Sequence, residues 1–246
     1  ALHDLSMNLT GTVQAVNAGG DLTGSVFAPQ SIHTGGNLNF TVKNDVAGTV
    51  SADGSILFFS VRDVQGAITA GGNIGDQFGV HLIARDLLGG VSANGIIYEI
   101  DARDVDRSIH AGGSINALNI TRDLAAATDS DGDINTIHVG EELTGNIHAH
   151  GSLTGLYVGY QIFGSQISAV TEGIGTIVVG YLQPNQDNLG WTDAFTRAGG
   201  IHAAAISAAT DIGSITGSAA EGLGGSIDET TTIHAIAGSI GAISAD

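Results

Sequence analysis

The 246-residue chain contains no cysteine. A disulfide framework, a thiolate metal site and a cysteine nucleophile are therefore all excluded. A cysteine-free chain fits an exported protein, and an extracellular or cell-surface location is expected. Proline occurs only twice, and aromatic residues make up 5% of the chain. So little proline rules out a collagen-like or proline-rich linker. So few aromatics predict a thin core of small branched side chains. Basic residues are also scarce: seven Lys and Arg stand against 25 Asp and Glu, for a net charge of −18. That surface repels phosphate backbones and attracts divalent cations, which argues against nucleic-acid partners. No apolar run approaches the roughly 18 residues of a membrane span, so no membrane insertion is expected. There is no Gly-x-Ser-x-Gly elbow, Walker loop, HExxH or dinucleotide fingerprint. No catalytic residue is nominated on motif grounds.

What the chain has in abundance is glycine, 38 residues of it, and the glycines keep time. Gly36, Gly54, Gly72, Gly95, Gly113, Gly132 and Gly151 follow one another at steps of 18, 18, 23, 18, 19 and 19. Two residues after each stands an aliphatic side chain: Leu38, Ile56, Ile74, Ile97, Ile115, Ile134 and Leu153. A second series runs between them through Val46, Val64, Leu87, Val105, Leu124, Leu143 and Ile162. Within one period the apolar spacing is +2, +4, twice over: Ile109, Ala111, Ile115, then Leu118, Ile120, Leu124. A +2 step keeps both side chains on one face of a strand, and a +4 step crosses a turn.

Each period therefore predicts two short strands, two bends and about six inward side chains. One such coil cannot bury its apolar edge, but stacked coils can, with parallel strands about 4.8 Å apart. The fold class read from this is all-β: a single-stranded parallel β-helix, or β-solenoid, of 18–19 residues per coil. Right-handed winding is the default for parallel crossovers. Helices fail because no segment sustains a 3.6-residue period, and glycine interrupts about every ten residues. Residues 1–246 are read as one solenoid domain, with regular coils over 1–180, a loop insertion at 181–200 and less regular coils over 201–246. The 23-residue step places a smaller insertion at 75–82. The chain starts without a signal peptide and stops in mid-repeat, so it is expected to be part of a longer protein.

Strings such as "AGGSI", "AGGNI" and "RDV" resemble the β-solenoid repeats of large bacterial surface and secreted proteins, including haemagglutinin-like adhesins and autotransporter passengers. The resemblance covers roughly residues 10–180 and returns over 201–246. It implies a stalk, an adhesin or a carrier of grafted sites. The expected function is a structural or adhesive module, a stiff rod that presents a binding loop. Its expected partners are polysaccharide or other surface proteins, with end-to-end or side-by-side self-association. The alternative is a carbohydrate-active β-helix enzyme, a polysaccharide lyase or hydrolase.

Three groups of residues are candidates for more than packing. Trp191 and Phe195 fall in the 181–200 insertion, where a rigid scaffold commonly carries binding residues. Arg62-Asp63, Arg85-Asp86, Arg103-Asp104 and Arg122-Asp123 recur at one turn of four successive coils. Recurrence favours an alternating ion-pair ladder over a catalytic groove, because catalytic sites are singular. Lastly, "DSDGD" at 129–133 offers alternate acids in one turn. Coil alignment brings His110, Asp129, Asp131, His148 and His150 to one outer face, a donor set for calcium, zinc or nickel. No cofactor is required by this reading. The competing reading is a solvated turn beside surface histidines.

Overall fold

The computed structural model describes residues 5–8, 12–79, 81–180, 200–217 and 226–245. Every strand pairing in it is parallel, and the strands stack coil upon coil into a β-solenoid. One coil illustrates the build. The short strand Ile109–Ala111 turns through Gly112-Gly113-Ser114 into the longer strand Ile115–Ile120. The chain then bends at Arg122-Asp123, and Leu124 bridges Val105 behind it and Leu143 ahead of it. The next short strand, Thr128–Ser130, lies directly on Ile109–Ala111.

Stacking these coils makes a wide sheet whose main path has twelve strands, a short-stranded sheet of eleven, and a third of four. The third was not anticipated, since two strands per coil were expected. Its members are only two or three residues long, such as Glu142–Leu143 and Gln161–Phe163. Each contributes one inward aliphatic side chain. A lone inward residue has no +2 partner, so its spacing reads as part of a bend.

The columns of the core follow the repeat. Leu38, Ile56, Ile74, Ile97, Ile115, Ile134 and Leu153 are fully buried, one above the other. All six inward side chains of the 109–124 coil are buried as well. The column continues through Ile174, Ile212 and Ile240, so register survives the segments between those strands. Burying one such Ile or Leu contributes about 1.5–3 kcal/mol, and neighbouring coils supply the surface that does it.

The glycine beat has a steric cause. A ladder of side-chain acceptors runs beneath the Gly-Gly turns. Asn37 N–H donates to Asp21 Oδ1, Ser55 N–H to Asn37 Oδ1, and Asn73 N–H to Ser55 Oγ. Ile96 N–H donates in turn to Asn73 Oδ1. The glycine of the next coil sits over each acceptor. A Cβ on Gly95 would lie 2.1 Å from Asn73 Oδ1, and one on Gly151 2.2 Å from Asp133 Oδ1. A side chain there would evict the group that satisfies the turn's own backbone.

The Arg-Asp turns form the expected ladder. Each Arg reaches an acid of the preceding coil: Arg62 to Asp45 at 2.6 Å, Arg85 to Asp63 at 2.8 Å, Arg103 to Asp86 at 2.7 Å. Arg122 lies 3.4 Å from Asp104 and 3.5 Å from Glu141 of the following coil. Carboxylates thus interleave the guanidinium groups that would otherwise repel. The Arg62 guanidinium holds the Asp45 carboxyl below its ordinary pKa. Burial raises that of Asp86, whose Oδ1 finds no hydrogen-bond donor among the described residues.

Candidate functional site

The short sheet sets out its outward side chains in a single file. Ser51, Thr69, Ser92, His110, Asp129, His148, Ser168 and Ser207 are consecutive register partners. Asp129 is the only carboxylate in this column among the described residues, and a histidine flanks it on each side. His110 Nδ1 lies 2.9 Å from Asp129 Oδ2, and His148 Nε2 lies 4.0 Å from Asp129 Oδ1. His148 Nδ1 is 2.8 Å from Ser168 Oγ. Asp131, at the bend, brings a carboxylate oxygen within 4.8 Å of donor atoms on both His110 and Asp129. The grouping expected from the sequence is therefore assembled for His110, Asp129 and Asp131, with His148 at its edge. His150 occupies the bend position one coil beyond Asp131, exposed, and its ring makes no hydrogen bond or ion pair among the described residues. Trp191 and Phe195 lie outside the described residues.

A second cluster, on the outer face of the wide sheet, was not anticipated. His81 ends the 75–81 insertion, whose turn uses positive φ at Gly75 and Gly79. His81 Nε2 lies 2.9 Å from Asp101 Oδ2. Its Nδ1 lies 2.9 Å from the Gly79 carbonyl and 3.4 Å from Glu99 Oε2. Both ring nitrogens face only acceptors, so both must donate, and the ring is an imidazolium. The hydrogen bond to Asp101 is the main cause that raises its pKa to about 9 against the opposing effect of burial. The Gly79 carbonyl and the charges of Asp101 and Glu99 add to the rise. Asn119, one coil on, donates to Glu99 Oε1 at 2.9 Å and to Asp101 Oδ1 at 2.8 Å. The insertion is thus clamped to the sheet.

The sequence did carry a signal for this clamp. Glu99 and Asp101 are the outward positions of a strand whose counterparts one coil later are Ala117 and Asn119. Two acids at alternate strand positions, one coil after a histidine-bearing insertion, mark a place where the repeat departs from itself. Further along the same column His138 stacks on Tyr157, ring centroids 4.9 Å apart. Burial lowers the pKa of His138, the opposite of the shift at His81.

Comparison with protein-family models, with curated proteins and with solved structures found no match to this chain.

Proposed function

We propose that the chain is a structural or adhesive module of a larger extracellular or cell-surface repeat protein: a stiff rod that holds outward side chains in fixed register. The observation that carries this reading is the unbroken aliphatic column from Leu38 to Ile212, which ties successive coils into one core. Such a core makes bending costly, because any opening between coils exposes aliphatic surface and parts a full set of strand hydrogen bonds. The Arg-Asp ladder supports the same reading, being a feature that repeats with the coils. The resemblance to adhesin and autotransporter repeats points the same way, with polysaccharide or another surface protein as partner.

The carbohydrate-active alternative draws on Glu99 and Asp101, the paired acids of the wide face. Both are engaged by His81 and Asn119, so neither stands free as a general acid or nucleophile. Two experiments separate the readings. Excising residues 55–72 removes one whole coil and should leave a cooperatively folded rod that still binds whatever surface the parent binds. Excising 55–63, half a coil, should unfold it. Incubation with neutral and uronate polysaccharides should release no reducing ends or unsaturated products. Product release that Asp101→Asn abolishes would overturn the rod reading in favour of the enzyme.

A further inference from the structure

Of eight consecutive outward positions on the short sheet, five carry Ser or Thr, and the other three, His110, Asp129 and His148, stand together. There a carboxylate is inserted between two imidazoles, with a second carboxylate at the adjoining bend. We propose that His110, Asp129, Asp131 and His148 form a zinc-binding site, independent of the rod reading above.

The donor set is the first argument. Two imidazole nitrogens and two carboxylate oxygens suit a borderline ion that takes four ligands, and zinc takes them tetrahedrally at about 2.0–2.2 Å. Calcium, which wants six or more oxygens, is poorly served by a half-imidazole set. Geometry is the second argument. Ligand atoms around tetrahedral zinc stand about 3.4 Å apart. The His110–Asp129 pair is 2.9 Å apart and must open slightly. The widest separation in the His110–Asp129–Asp131 group is within 4.8 Å and must close by no more than about 1.4 Å, within reach of rotamer changes in exposed side chains. Strand pairing sets Asp129 on the rung between His110 and His148; His148 stands outside the 4.8 Å group, and its Nε2 must swing in from 4.0 Å off Asp129 Oδ1.

The third argument is the orientation of His148. Its Nδ1 lies against Ser168 Oγ at 2.8 Å while Nε2 faces Asp129. With Nδ1–H donated to Ser168, the lone pair of Nε2 points towards the carboxylate. Metal-ligating histidines are habitually held this way by an outer hydrogen bond that fixes tautomer and ring plane. His33 makes the same pairing with Ser51, at 2.9 Å, but has no carboxylate neighbour in its column. It serves as an internal control: a histidine–serine pair without a site.

The test is isothermal titration of the whole chain with zinc chloride, repeated with calcium and nickel chlorides. One zinc per chain is expected, bound more tightly than calcium. The Asp129→Asn, His148→Ala double variant should weaken zinc at least tenfold, and Ser168→Ala about tenfold through loss of the orienting bond. His33→Ala should change nothing. All four side chains point outward, so circular dichroism should confirm an unchanged fold in each variant. No zinc uptake by the parent chain would overturn the proposal. So would equal uptake by parent and double variant, calcium binding tighter than zinc, or uptake lost instead in Asp101→Asn.

Discussion

Raising the pH should loosen the 75–81 insertion, and His81 is the reason. In the folded chain its ring donates from both nitrogens, and its pKa is raised to about 9 from an ordinary 6.5. Protonation therefore favours the folded state. The stabilisation is fully present below pH 6.5, and it is lost as pH rises through about 9. A shift from 6.5 to about 9 corresponds to about 3 kcal/mol at full value. The side chain of His81 is 14% exposed, but its partner Glu99 is 31% exposed, so solvent screening reduces this to about 1–2 kcal/mol. The assay is urea denaturation of the parent chain and of His81→Gln at pH 6.5 and pH 9.5. Glutamine cannot titrate, so the difference between the two proteins cancels every other group. The parent should lose about 1–2 kcal/mol more than the variant between the two pH values. Nuclear magnetic resonance of the His81 ring should give a midpoint near 9. Parallel pH dependences in the two proteins, or a midpoint near 6.5, would refute the clamp.

Other expectations follow from the coil geometry. Gly95→Ala should destabilise the chain by about 2 kcal/mol in chemical denaturation, because its Cβ displaces the Asn73 amide oxygen from Ile96 N–H. A neutral result would show that the ladder is incidental. Thr128→Val should stabilise by about 1 kcal/mol: the Thr128 hydroxyl is buried without a hydrogen-bond partner among the described residues, in a column where Ile109 and Ile147 are its neighbours. A lower melting temperature in that variant would count against it. Arg62→Met should shift stability by less than about 1 kcal/mol, since its pair with Asp45 is half exposed.

Most of the fold was legible because a solenoid writes its register into the sequence. The +2 step from Ile109 to Ala111 and the glycine two residues before Ile115 each report a local geometry that every coil must repeat. The third strand was not legible, because Leu143 and Ile162 each stand as a single inward residue of a two- or three-residue strand, with no +2 companion to mark it. The alignment of His110, Asp129 and His148 was readable, since one outward position per coil stays in register when coils differ by a residue at the bends. The His81 clamp was legible only as a departure from the repeat at Glu99 and Asp101, and its pairing was not. It joins an insertion to the sheet, so the spacing from His81 to Asp101 belongs to no period. How the donors of His150 sit relative to Asp129 depends on side-chain direction at a bend, which spacing does not encode.

The central claim is that each coil adds one strand spacing to a stack, whatever the length of chain between its strands. The absence of cysteine makes site-specific spin labelling clean. Labels at Ser51 and Ser168 lie six strands apart in the short sheet, and labels at Ser51 and Ser207 lie seven apart. Backbone separations should then be about 29 Å and 34 Å, a difference of one strand spacing although the second path includes all of residues 169–206. Dipolar electron spin resonance should return two narrow distributions offset by about 5 Å. Distributions that are broad, or an offset several times larger, would contradict the stack.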